Sequence, residues 1–185
     1  MKTLGLFRHA KSGWADPRAR DFDRPLSERG IRGAALMGRH IRDFAGERSL
    51  RFDRVLASPA VRVAETIEHA NQGAGSSFSV EWDRRIYLAS SATLIDLLRE
   101  VEGDPGAVLM VGHNPGLEDV IFDLVPDDGS SPLRDEVEVK FPTASFAVLE
   151  CDVARWADLK DGCARLVALT RPRDLDASLG PELVG

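Results

Sequence analysis

The chain lacks most of the features that would place it in a specialised class. Its 185 residues include only two cysteines, Cys151 and Cys163. That is too few for a disulfide framework, and no Cys-x-x-Cys pair suggests zinc. Both thiols read as buried strand residues rather than catalysts. No apolar run approaches the length of a membrane span, so no membrane partner is expected. Positive charge is also short: 24 Lys and Arg against 30 Asp and Glu leave a net charge of −6. That argues against general nucleic-acid binding, but not against a small basic pocket made by a few placed cations. Met1-Lys2-Thr3 with its very short apolar run reads as no signal peptide, and a cytoplasmic protein is expected. The remaining composition, 43% hydrophobic and 29% charged, is ordinary for one globular domain with a sizeable core.

Short apolar runs alternate with helical periodicity. Leu4–Phe7 predicts a buried strand, and the polar, Pro-containing stretch 13–25 a loop over its end. Ser27 is placed to cap a helix carrying Ile31, Ala34, Ala35, Ile41 and Phe44, with Gly46 closing it. A second strand is expected over Phe52–Ala57. Ser58 as N-cap and Pro59 at the first helical position then open a helix to about Ala70. A brief third strand is expected at 79–82. Ser90 or Ser91 caps a helix with Leu94, Leu97, Leu98 and Val101 on one face. Ala107–Val111 is the strongest strand, apolar on both faces as a central parallel strand should be. Asn114 and Pro115 then cap and start a helix with Leu117, Val120, Ile121 and Leu124. Residues 126–136 read as a polar loop, followed by two late strands near 144–149 and 164–169. The expected organisation is one α/β domain over 1–170, with a doubly wound sheet between helices, and a surface tail over 171–185.

In open α/β sheets ligands collect at the carboxyl ends of strands. Three such ends carry groups suited to an oxyanion: Arg8 and His9, then Arg62, then His113. Each is weak alone. Arg62, in the first turn of a helix, opposes the helix dipole at a cost of ~0.3–1 kcal/mol. A bound anion would reverse that balance, but a solvated surface Arg fits as well. Arg-His recurs at Arg39-His40 in mid-helix, where it reads as a polar face, and a lone strand-end His is more often structural than catalytic. Together, two His and two Arg at three strand ends make a coherent phosphoryl-transfer site that requires no metal and no cofactor. Neutral imidazole is a competent phosphoryl acceptor. His9 would accept, Arg8 and Arg62 would clamp the oxygens, and His113, if protonated, would donate a further hydrogen bond.

Four segments carry a family resemblance. Leu6-Phe7-Arg8-His9-Ala10-Lys11-Ser12, Arg24-Pro25-Leu26-Ser27 with Gly30, Ser58-Pro59 with Arg62 and Thr66, and Gly112-His113-Asn114-Pro115 occur in the order seen in the histidine phosphatase superfamily. This is the phosphoglycerate mutase-like branch 1 group, and the SixA-type phosphohistidine phosphatases are most similar. The resemblance implies a three-layer sandwich with a mixed, mostly parallel sheet between helices. It implies His9 as phosphorylated nucleophile and Arg8, Arg62 and His113 as the phosphate pocket, with Arg24 as a further substrate contact. The implied partner is a phosphohistidine-bearing protein or a small phosphorylated metabolite. One departure concerns the proton donor that many relatives have. Asn114 stands where some carry Asp, no Glu occurs near Tyr87–Ser90, and Asp16, Asp21, Asp23 and Glu81 remain candidates without a motif. A leaving imidazole can be protonated on its own ring, so a missing acid favours a phosphoramidate over a phosphosugar. A metallohydrolase, a non-catalytic phosphoprotein-binding domain and a general small-molecule phosphatase are the alternatives.

Overall fold

The computed structural model describes residues 1–181. Six strands form one sheet in the order β3-β2-β4-β1-β5-β6: β1 is Lys2–Arg8, β2 Arg54–Ala57, β3 Val80–Trp82, β4 Ala107–Gly112, β5 Phe146–Cys151 and β6 Ala164–Thr170. The first four in spatial order are parallel, β5 runs antiparallel to β1, and β6, antiparallel to β5, returns to the direction of the first four. The sheet is therefore mixed and mostly parallel, with helices on both faces.

The two faces explain why the central strands carry no polar alternation. Leu4 and Leu6 of β1 and Val108 and Met110 of β4 point into a core closed by Leu94, Leu117, Val120 and Val137. Their neighbours Phe7, Leu109 and Val111 point the other way, onto Met37, Ile41, Val63 and Ile67. A strand covered on both sides is apolar at every position, and all six residues of β4 are buried. The first core is closed by α3 (Ser91–Arg99), α4 (Gly116–Leu124) and α5 (Pro132–Val139). The second is closed by α1 (Glu28–Glu47) and α2 (Val61–Ala74).

Several boundaries differ from those the sequence predicts. Ser27 does cap α1, its hydroxyl accepting the Gly30 N–H at 3.1 Å, but the helix continues past Gly46. Ser58 does not cap α2: the helix begins three residues later, and Ala60 takes the N-cap without a side-chain bond. Asn114 likewise does not cap α4, where Pro115 occupies that position. Within the expected polar loop 126–136, Ser131 and Pro132 open α5. It contributes mainly Leu133 and Val137 to the core, too little periodicity to be seen in sequence. The segment from Arg171, expected as a surface tail, forms a short α6 (Pro172–Leu175) and a 3-10 turn at Ala177–Leu179. Pro172 is buried, and Arg29 of α1 donates to the Ser178 and Gly180 carbonyls. Residues 182–185 of that segment lie outside the described residues. Among the described residues no helix is long and apolar enough to cross a membrane.

Candidate active site

Because β1, β2 and β4 are parallel neighbours, their carboxyl ends open on one edge, and that edge gathers the conspicuous side chains. His9 follows β1 directly, and its backbone is held from both sides. Its N–H donates to the Gly112 carbonyl at 3.0 Å, and its carbonyl accepts the Ala144 N–H at 2.9 Å. The next residue is fixed as firmly: Ala10 N–H donates to the Thr66 hydroxyl at 2.9 Å, which itself donates to the Arg62 carbonyl at 2.6 Å. Gly30 lets α1 approach this turn, since a Cβ there would sit 2.0 Å from the Lys11 carbonyl oxygen.

The His9 ring is buried. Its Nδ1 lies 2.8 Å from the Ala10 carbonyl. A carbonyl can only accept, so Nδ1 carries the proton and Nε2 keeps a free lone pair. Burial, with the charges of Arg62, Arg8 and Arg24 adding to it, lowers the pKa of His9 to about 4, which makes the ring neutral at pH 7. His113 stands 5.3 Å away between ring centroids and is also buried. Arg62 Nη2 donates to its Nδ1 at 3.3 Å. That leaves the His113 Nε2–H to donate to the Ser58 hydroxyl at 3.0 Å. Burial first, then the charges of His9 and Arg62, hold His113 near 3.

Arg62, second residue of α2, is 2% exposed and reaches into the edge rather than out to solvent. Its Nη1 donates to the Asp21 carbonyl at 2.7 Å and its Nη2 to Asp21 Oδ2 at 3.1 Å. Arg8 Nη1 donates to the Phe141 carbonyl at 2.7 Å. Among the described residues, neither Arg8 Nε nor Arg62 Nε has a partner, although both are buried. Buried donors without acceptors are uncommon, and two guanidiniums holding spare donors beside two imidazoles have the chemistry to bind a tetrahedral oxyanion. Arg24 sits at the rim, its Nη2 on Asp21 Oδ1 at 2.9 Å and its Nη1 on the Ser12 hydroxyl at 2.9 Å, with its guanidinium 3.9 Å above the Trp14 ring.

The candidate acids separate clearly. The Asp16 carboxylate accepts the Arg18 N–H, Asp23 pairs with Arg20 and Glu81 pairs with Arg54 away from the site. Asp21 does reach the pocket. Hydrogen bonds from Tyr87, Arg62 and Arg24 bring its carboxyl down to about 2, so it has no proton to give near neutrality. Sequence reasoning passed over Glu118, which lies one helical turn after Asn114 and accepts the Asn114 Nδ2–H at 2.7 Å. Desolvation raises its pKa, and the nearby Arg8 charge opposes that rise. Its place four residues after Asn114, in the first turn of the helix that follows, was the available signal. Thr66 was visible as a motif residue without an assigned role, and Ser58 was read only as a helix cap. Among the described residues no cluster of three or more His, Cys, Asp or Glu side chains could hold a metal ion.

Comparison with known proteins decides the family. The sequence profile described as the histidine phosphatase superfamily (branch 1) matches residues 4–86. The structure of a candidate phosphohistidine phosphatase SixA from Nakamurella multipartitia superposes with a TM-score of 0.77 at 31% identity, covering 92% of this chain and 96% of that one. The chain belongs to the histidine phosphatase superfamily, and within it to the SixA type. A second candidate SixA structure, from Agrobacterium tumefaciens, superposes at TM-score 0.73 and 30% identity over 92% of this chain and 98% of its own. An uncharacterized protein of Mycobacterium tuberculosis is 35% identical over 167 residues, 90% of this chain and 99% of that one. These likenesses support phosphatase activity.

Proposed function

We propose that the protein hydrolyses phosphohistidine on a protein substrate through a phosphorylated His9, without a metal. The observation that carries this reading is the His9 tautomer: with Nδ1–H spent on the Ala10 carbonyl, Nε2 is the nucleophilic atom. Nε2 attacks phosphorus, the P–N bond to the substrate imidazole breaks, and the departing ring takes a proton from solvent water at the freed nitrogen. Water then attacks phosphorus, cleaves the bond to His9 Nε2 and releases inorganic phosphate. Arg8 and Arg62 bind the oxygens through both steps, and their charges match those that develop in phosphoryl transfer. A dianion beside His113 raises its pKa, so the second imidazole can donate to the phosphoryl group when substrate is bound.

The acids support this substrate class. The carboxylate paired with Arg62, Asp21, is held ionised, and position 114 is an amide. An alkoxide leaving group needs an acid within hydrogen-bond reach, whereas imidazole does not. The expected result is much faster turnover of a phosphohistidine peptide than of a phosphosugar, and comparable rates for the two would defeat the assignment. One observation favours a second reading, a phosphomonoesterase of the same superfamily. Glu118 is a partly desolvated carboxyl near Arg8 that could hold a proton for an oxygen leaving group. Under that reading Glu118→Gln slows ester hydrolysis and spares p-nitrophenyl phosphate, whose leaving group needs no acid.

A further inference from the structure

The loop over the end of β1 places a carboxylate against the very guanidinium that is to hold phosphate. Two of Arg62's contacts end on Asp21, one on its carbonyl and one on Oδ2. The same carboxylate accepts the Tyr87 hydroxyl at 2.5 Å and Arg24 through Nε at 3.1 Å and Nη2 at 2.9 Å. Arg24 is in turn anchored to Ser12, next but two to His9. Among the described residues Asp21 is the sole carboxylate in ion-pair contact with Arg62, and none pairs with Arg8. Its side chain is 43% exposed, so one side of the carboxylate faces water at the pocket's rim while the other faces the buried cation.

We infer that Asp21 is a positioning residue that serves as a built-in counter-anion for Arg62. It orients the guanidinium between turnovers and, as a second negative charge on the same cation, limits how tightly the site holds inorganic phosphate. This role rests on the phosphoryl pocket proposed above. A buried guanidinium needs a compensating charge and fixed acceptors to keep one orientation, and Asp21 supplies both through its side chain and its carbonyl. When a phosphoryl dianion arrives, the two anions repel across Arg62. At the rim, where the surroundings approach water, unit charges about 4 Å apart interact by about 1 kcal/mol, roughly a fivefold change in affinity. Weakening product binding speeds release, a step that often limits turnover.

Asp21→Asn tests this, because it removes the charge and keeps an oxygen for Arg62 or Tyr87. Inorganic phosphate is titrated calorimetrically into wild type and variant, and kcat and KM are measured alongside. The variant should bind phosphate about fivefold more tightly, with KM falling in step and kcat also reduced. Asp21→Glu, which keeps the charge and alters the geometry, should lower kcat without tightening phosphate. Glu28→Gln, the same charge change on an exposed first-turn residue of α1, should leave phosphate affinity as it is. Weaker phosphate binding with a raised KM in Asp21→Asn would mean a merely structural role and overturn the inference, as would equal tightening in Asp21→Glu. Failure of the wild type itself to bind phosphate would instead bring down the pocket, and this role with it.

Discussion

Arg8-His9 and Arg39-His40 are the same dipeptide in two settings, and the difference lies in what surrounds them. His40 rides on α1 with its ring 6.1 Å from Phe44 and 6.3 Å from Phe146, and burial lowers its pKa as it does that of His9. A depressed histidine pKa is therefore no mark of function in this molecule. Two other things separate the pairs. His9 has a carbonyl that fixes its tautomer, whereas His40 Nε2 is buried with no partner among the described residues. Arg8 turns into a pocket shared with a second guanidinium, whereas Arg39 lies exposed on its helix.

Substitution at the two histidines breaks the comparison most sharply. His9→Ala should lower kcat by roughly 10⁴-fold or more, the scale seen when a covalent nucleophile is removed. His40→Ala should leave kcat within about twofold while costing a modest amount of stability. Removal of a preorganised donor comes next. Arg62→Lys keeps the charge but loses the fork that spans Asp21 and His113, and should cost on the order of 10²-fold in kcat/KM, against no change for Arg39→Lys. Gly30→Ala tests the backbone that frames His9. A methyl driven onto the Lys11 carbonyl should destabilise by about 1–3 kcal/mol, visible as a lower melting temperature with a matching loss of activity.

The pH profile is a gentler test with a definite sign. The nucleophile must be neutral, and His9 in the fold has its pKa near 4. Once the substrate's own ionisation is allowed for, kcat/KM should rise with pH through about 4 and be flat from there to 7. An acid limb centred near 6.5, the ordinary value for histidine, would show that burial does not hold His9 as described. Smallest of all is His40→Leu. Replacing a buried, unpartnered imidazole nitrogen with a methyl group should be neutral or slightly stabilising, while the same change at His9 abolishes turnover.

Much of the frame was legible because it rests on local patterns. The unbroken apolar runs of β1 and β4 marked the centre of the sheet, and the turns at their ends pointed to His9 and His113. The reversed direction of β5 did not follow from periodicity, since strand direction depends on the connection, and here β1 and β5 are neighbours far apart in sequence. Ser58 was misread for a physical reason: a serine before a helix is an ordinary cap, and only the folded chain brings the His113 ring to its hydroxyl. Asp21 was visible as one of four unsupported acids. Its partners Tyr87 and Arg62 lie 66 and 41 residues away, so no local pattern could reveal a carboxylate that holds a cation instead of giving up a proton.

The most direct test of the central claim is rapid acid-free quenching during turnover of a ³²P-labelled phosphohistidine protein, followed by peptide mapping. The account predicts acid-labile, base-stable label on His9 that decays as inorganic phosphate appears, and none on His113 or in His9→Ala. Full turnover with no labelled His9 at any time, or label on His113 alone, would contradict it.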